Sequence, residues 1–246
     1  MSVRAIILAG QRPGPDALCE HAGVVFKADI PVGGMAMVER VAQALRGAKV
    51  AEPFFLSGYP KERDGFDLVP GGRGPADSAL MAASGGAFPA LLTTCDHALL
   101  TSEMVDTFIQ YSQASGADFT VGLATEAVIQ SAYPATKRTY LRFADQAVSG
   151  CNLFYLANDR ALEAIRFWQT AQDFRKDPLK LAKTVGLGLG IKYASGRLSL
   201  AGAFAAVSKK LQITAEPVLL PFAEAAIDVD KPADLALVED IIAARK

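Results

Sequence analysis

Residues Val3 to Ala9 form an apolar run that stops at Gly10. A run bounded by a turn former, rather than an in–out alternation, reads as a strand buried on both faces, as strands of a parallel sheet are. A loop rich in Gly and Pro follows. Met37, Val38, Val41 and Leu45 then recur at helical spacing until Gly47 ends the helix. Pro53 to Leu56 reads as a second strand, Asp77 to Ala83 as a short helix ahead of Gly85-Gly86, and Ala90 to Thr94 as a strand ending at Cys95-Asp96. Thr101 or Ser102 is placed to cap a helix whose apolar face holds Met104, Val105, Phe108 and Ile109, and Phe119 to Leu123 is the next strand. This alternation predicts an α/β fold: one three-layer domain spanning residues 1–246, with a mostly parallel central sheet covered by helices.

Beyond residue 130 the alternation weakens. Strands are expected at Thr139 to Phe143 and Leu153 to Leu156, followed by a long helix capped by Asp159 with Leu162, Ile165 and Trp168 on its apolar face. The basic residues from Arg175 to Lys183 read as a solvated face, with an acceptor-facing patch as the alternative. Gly186 to Gly190 alternates Gly with Leu and suits a bend better than a helix interior. A last strand at Val218 to Leu220 and a helix after Pro232 close the chain.

Composition narrows the function. A chain of 246 residues that is 51% hydrophobic buries a sizeable core, and a formal net charge of -1 gives no bulk electrostatic reason to expect nucleic acid or a membrane surface as partner. Three cysteines without C-x-x-C spacing and two histidines point to neither a disulfide framework nor a zinc site. The apolar run near the amino terminus is short for an export signal, and no stretch approaches the ~18 apolar residues of a spanning helix, so a cytoplasmic protein is expected.

The candidate chemistry lies at strand ends. Gly10-Gln11-Arg12-Pro13-Gly14 follows the first strand, where a bare backbone can approach a base or phosphate and Arg12 can grip phosphate oxygens; a purely structural Gly/Pro loop is the alternative. Asp96 ends a strand where a carboxylate faces the ligand crevice, as a Mg²⁺ ligand or else as a turn aspartate. In Asp228-Val229-Asp230 the two carboxylates are expected to point to opposite sides, so that only one faces a given site, and Asp230 would otherwise cap the helix beside Pro232.

In order along the chain, Leu8-Ala9-Gly10 with Arg12, Lys27 seven residues before Gly34 and then Met37-Val38, Thr94-Cys95-Asp96-His97, and Asp228-Val229-Asp230-Lys231-Pro232 resemble the MobA-like NTP transferases. The resemblance implies a Rossmann-like, nucleotide-diphospho-sugar transferase (GT-A-like) architecture and Mg²⁺-dependent transfer of a nucleoside monophosphate. The donor would be an NTP, GTP or CTP, and the acceptor a small phosphorylated molecule. It implies that the Leu8, Ala9 and Gly10 backbone holds the base, that Arg12 and Lys27 bind phosphates, and that Gly74 and Ser78 line the base pocket. Asp96 and Asp230 would be the metal carboxylates, with Asp228 the lesser candidate, and Gly150 and Asn152 would contact the acceptor. The sequence departs from the family pattern at Met35, at His97-Ala98 and in the length of the loop from Gly10 to Lys27. His97 reads as a structural turn residue, with substrate contact as the alternative. Two other functions fit the same pattern: a nucleotide-sugar-dependent glycosyltransferase, which also uses a D-x-D, and a nucleotide-sensing domain without turnover.

Overall fold

The opening apolar run is β1 (Val3–Leu8), and its two faces are both covered, as the absence of alternation predicts. The computed structural model of the chain describes residues 2–11, 14–86, 88–173 and 186–245. β1 lies between β4 (Val50–Ser57) and β6 (Ala90–Thr94), parallel to both, and β5 (Phe66–Val69) extends the sheet beyond β4. On the other side β9 (Ala147–Leu156) runs antiparallel between β6 and β7 (Phe119–Thr125), and β10 (Ala215–Leu219) pairs in parallel with β7. With β8 (Leu141–Arg142) against β9, the sheet has eight strands among the described residues, in the order β10-β7-β9-β6-β1-β4-β5 along its main path.

The period of two along β1 sorts the layers. Ala5 and Ile7 pack in one core with Val38, Val41 and Leu45 of α2 (Met37–Arg46) and Val105 and Phe108 of α4 (Ser102–Ser115). Ile6 and Leu8 face the other way, toward Ala79 and Ala83 of α3 (Pro75–Ala83) and Ile165 of α6 (Leu162–Asp173). Each such fully buried large side chain contributes about 1.5–3 kcal/mol over leaving it in water. Helices therefore cover both faces, giving the three layers expected.

Several boundaries depart from the sequence pattern. The Gly/Pro loop contains a short helix, α1 (Ala17–Ala22), capped by Asp16, whose carboxylate accepts from the backbone N–H of Leu18 and Cys19. A hairpin of β2 (Pro31–Val32) and β3 (Met35–Ala36) precedes α2. α3 begins at Pro75 rather than Asp77, because proline suits the first turn, where its missing N–H is not needed. Thr101 is the cap of α4, its hydroxyl accepting from the Met104 N–H. The strand expected over Thr139 to Phe143 shrinks to β8, whereas the one expected over Leu153 to Leu156 starts at Ala147, since pairing with β7 carries it on. The cap expected at Asp159 is Asn158, and a 3₁₀ turn at Asp159–Ala161 intervenes before α6. The bend expected at Gly186 to Gly190 is instead α7 (Leu187–Ala194), because each glycine costs a helix only about 1 kcal/mol relative to alanine. α5 (Glu126–Ala132) follows β7, and α8 (Leu200–Leu211) and α9 (Pro232–Ala244) stand before and after β10. Among the described residues no helix is long and apolar enough to cross a membrane.

Candidate active site

Parallel strands that leave the sheet at one edge bring their following loops together. β1 leads into Ala9-Gly10, β4 into Gly58, β5 into Gly71 and β6 into Asp96. The Ala9 N–H donates to the Ser57 carbonyl at 2.8 Å, Gly58 to Val69 at 2.9 Å and Cys95 to Leu8 at 2.9 Å. Gly58 has φ +82°, and a Cβ there would lie 2.7 Å from the Gly10 Cα, so the fold itself requires this glycine. Gly10 is different: it is exposed, its φ is not left-handed, and a Cβ on it would meet nothing nearer than the Ser78 Oγ at 3.9 Å.

Asp96 sits at the C-terminal end of β6. The Thr94 hydroxyl donates to its Oδ1 at 2.5 Å, and the Val229 N–H donates to its carbonyl at 3.1 Å. That backbone bond ties the Asp228–Asp230 segment to the end of β6. Lys27 completes the group: its Nζ lies 2.7 Å from Asp96 Oδ2 and 2.6 Å from Asp230 Oδ1. The lysine stands in a 3₁₀ turn, Lys27–Asp29, held from two sides. Gln11 Oε1 accepts from the Lys27 N–H at 3.0 Å, while its Nε2 donates to the Val25 carbonyl at 3.0 Å. Asp29 accepts from the Tyr59 hydroxyl at 2.7 Å and from Arg63 Nη2 at 2.6 Å.

Burial pushes the Lys27 pKa down, but the Asp96 charge, the hydrogen bonds it donates to both carboxylates and the Asp230 charge outweigh it. The ammonium is held above its ordinary pKa and remains charged. It is a cation fixed between two carboxylate oxygens, and hard oxygen donors of this kind also suit Mg²⁺. Among the described residues no cluster of three or more His, Cys, Asp or Glu side chains stands ready for a metal. Asp96 and Asp230 are the carboxylates that could hold such an ion at this point.

Residues two apart share one face of a regular strand, but Asp228–Asp230 is irregular and its two carboxylates diverge. Val229 is buried, Asp230 turns to Lys27, and Asp228 turns away to an ion pair with Arg138, with Oδ2 accepting from Asn152 Nδ2 at 3.3 Å. Burial raises the Asp228 pKa, but the Arg138 charge and hydrogen bond bring it below the ordinary carboxylate value. Asp230 does not cap α9; the N-cap is Lys231, and Asp234 Oδ2 accepts from the N–H groups of both Asp230 and Lys231 at 3.2 Å. Asn152 has φ +50° and lies at an irregularity in the β7–β9 register, where a bulge re-aims a side chain. Gly150 is exposed, and a Cβ there would meet nothing within 4 Å. His97 is buried, and desolvation pushes its pKa down to about 4, so the ring is neutral near pH 7.

Residues 5–173 match the family model of the MobA-like NTP transferase domain. The chain belongs to that family. As a MobA-like NTP transferase it is a nucleotidyltransferase. A hypothetical transferase from Thermus thermophilus is 31% identical, with a TM-score of 0.81 over 96% of this chain and 100% of that one. The 2-C-methyl-D-erythritol 4-phosphate cytidylyltransferase of the same organism has a TM-score of 0.54 at 15% identity, over 100% of both chains. Molybdopterin-guanine dinucleotide biosynthesis protein A of Archaeoglobus fulgidus has a TM-score of 0.54 at 11% identity, over 98% of this chain and 100% of that one. At these lower identities the likeness is one of fold. No curated protein shows significant similarity.

Of the residues singled out in this MobA-like NTP transferase's sequence, Lys27, Asp96 and Asp230 come into direct contact, at the strand edge that carries Leu8, Ala9 and Gly10. Gly74 is the N-cap of α3, with the Gln172 amide packed where a Cβ would stand. Ser78 is buried, and its hydroxyl accepts from the Gly72 N–H at 2.9 Å, holding the loop after β5. Arg12 and the basic stretch Arg175 to Lys183 lie outside the described residues. Three supports escaped the sequence: Gln11 beneath Lys27, the Asp29–Tyr59–Arg63 group, and Arg138 on Asp228. Gln11 had a visible cue, its place between Gly10 and Arg12, whereas Arg138 sits in a loop with no periodic signal.

Proposed function

We propose that this MobA-like NTP transferase moves a nucleoside monophosphate from GTP or CTP to a small phosphorylated acceptor, with Mg²⁺ and with release of pyrophosphate. The observation that carries the reading is the convergence of Asp96 and Asp230 on a single cation at the edge where the Gly10 backbone lies bare. The relatives widen rather than fix the base: one is a cytidylyltransferase, one belongs to the biosynthesis of a guanine dinucleotide, and a CMP-ketodeoxyoctonate synthetase (TM-score 0.56, 15% identity, 99% of this chain and 100% of that one) has been solved with CTP.

In this mechanism the Leu8-Ala9-Gly10 backbone and the Gly74–Ser78 segment receive the base, and Gly150 and Asn152 face the acceptor. An acceptor phosphate oxygen attacks the α-phosphorus in line; the new P–O bond forms as the bond to the bridging oxygen of pyrophosphate breaks. Bound between Asp96 and Asp230, Mg²⁺ would supply charge neutralisation on the α-phosphate and leaving oxygens. Lys27, with Arg12, offsets negative charge on the phosphates, where an oriented cation is worth most in the transition state. The nucleophile is already ionised at pH 7, so no general base is needed.

Pyrophosphate release from each NTP, with Mg²⁺ and a panel of phosphorylated acceptors, tests the proposal. Acceptor-dependent pyrophosphate with one base, absent from Asp96→Asn, supports it. Transfer from a nucleotide-sugar instead, or binding without any turnover, would replace it by a glycosyltransferase or a sensing domain.

A further inference from the structure

Resting on the reading above, we infer that Lys27 is the resident counter-ion of the Asp96–Asp230 pair in the free protein, so that a divalent cation gains the pair only when the nucleotide draws the lysine away. The Lys27 ammonium touches one oxygen of each carboxylate, at 2.7 and 2.6 Å, the oxygens through which the pair would grip a metal together. Mg²⁺ takes its ligands at about 2.0–2.1 Å, so the ion and the ammonium compete for one position. No third acid among the described residues relieves the competition. Asp228 is committed to Arg138 and Asn152, and the second oxygen of Asp96 to the Thr94 hydroxyl.

The parts differ in anchoring in the way such an exchange requires. The Lys27 backbone is pinned by Gln11 and through Asp29, whereas its four-carbon stem has rotatable bonds through which the ammonium can be re-aimed without moving the turn. Asp96 is held by Thr94, whereas the Asp230 side chain is 66% exposed. Two carboxylates and one ammonium leave a local charge of -1, modest attraction for a divalent ion. An NTP brings its own anions: it offers the ammonium a new partner and restores the pair's full charge of -2 to the metal. The lysine therefore couples metal binding to nucleotide binding, and the metal arrives with the NTP rather than ahead of it.

The test measures Mn²⁺ binding by electron paramagnetic resonance on nucleotide-free protein, in wild type, Lys27→Met, Lys27→Gln and Lys27→Met/Asp96→Asn. The expected result is weak binding to wild type, at least 10-fold tighter binding to Lys27→Met, and loss of that gain when Asp96 is also changed. Lys27→Gln, which keeps a hydrogen-bond donor between the carboxylates, serves if the methionine variant does not fold and should also bind at least several-fold tighter. Wild type binding Mn²⁺ as tightly as the Lys27 variants overturns the inference while leaving the transferase reading intact. Mn²⁺ binding to none of them overturns the inference, because removing the ammonium has then not freed the pair for a metal. Pyrophosphate release by wild type, measured separately, decides the transferase reading itself.

Discussion

The two aspartates of the Asp-Val-Asp segment should fail in opposite ways. Asp228 and Arg138 are paired with side chains 21% and 14% exposed, so Asp228→Asn leaves a mostly buried guanidinium without its counter-charge. Removing one member of a fully buried pair costs about 3–5 kcal/mol; residual solvent access and the amide oxygen that remains reduce this to about 2–3 kcal/mol. Asp230 is 66% exposed, so its pairing with Lys27 contributes at most about 1 kcal/mol to stability, as exposed ion pairs do. Its cost falls on turnover instead. Loss of a metal carboxylate should lower kcat about 10²-fold or more, equivalent to about 2.7 kcal/mol of barrier. Urea unfolding at pH 7, alongside pyrophosphate release with saturating NTP at a temperature where both variants are folded, separates the two effects. Asp228→Asn should unfold well before wild type yet keep more turnover than Asp230→Asn, which should unfold near wild type. A more fragile Asp230→Asn, or one with full turnover, would show that the wrong carboxylate has been placed in the site.

Other outcomes follow from the same geometry. If Asp96 and Asp230 hold one ion, the double Asn variant should lose little more turnover than either single variant, whereas multiplicative losses in steady-state rates would mean separate roles. Gly10→Ala should keep its melting temperature, since its Cβ meets nothing nearer than 3.9 Å, yet lose at least about 10-fold in turnover as the new methyl group intrudes on the ligand. Gly58→Ala, with a clash at 2.7 Å and φ +82°, should instead be destabilised by about 2 kcal/mol or more, and equal melting temperatures for the two variants would contradict this division. His97, buried and depressed to about 4, binds its proton more readily in the unfolded chain, whose value is about 6.5. Its contribution is complete above about pH 6.5 and is lost as pH falls toward about 4, by up to about 3 kcal/mol; His97→Phe should flatten that part of a pH series of urea midpoints, and an unchanged slope would exclude the histidine.

How much of this was legible in the sequence depends on whether a feature is periodic. β1, α2 and α4 announce themselves because burial on two faces or one stripe leaves a repeat that survives in one dimension, as at Val38, Val41 and Leu45. The short hairpin at Pro31–Val32 and Met35–Ala36 has no room for a repeat, and α7 carries glycines that the propensity argument reads the other way. Site residues divide similarly. The order of Gly10, Lys27, Asp96 and Asp230 was visible through a family resemblance, whereas the divergence of the Asp228 and Asp230 carboxylates does not follow from strand alternation, which puts residues two apart on one face; it comes from an irregular segment with Arg138 and Lys27 as separate partners. What holds them was not visible, because the hydroxyl of Thr94 and the guanidinium of Arg138 act through single contacts whose partners are chosen by the fold.

The assembly of the charged group is itself a packing problem. Lys27 meets Asp96 across 69 residues of sequence and Asp230 across 203, and no local preference brings them into contact at 2.7 and 2.6 Å. One hydrophobic cluster lies beneath all three: Ile30 follows the lysine turn, Ala98 and Leu99 follow Asp96, and Ile227, Val229, Val238 and Ile242 flank Asp230 on the approach to and along α9. Met37 at the start of α2 joins the same cluster, and Arg40 of that helix donates to the Val32 carbonyl, while the Gly33 N–H donates to Glu239 of α9 at 2.9 Å. The carboxyl-terminal helix is thus fastened to the hairpin next to the lysine, and Asp230 is carried into position by apolar contacts remote from the charged group. Because cores shift as packed units rather than bend smoothly, a methylene removed at Ile30 or the methyl groups removed at Val229 would reach the site as a displaced oxygen or nitrogen. In a cluster of opposite charges at 2.6–2.7 Å, such a displacement acts on the chemistry directly.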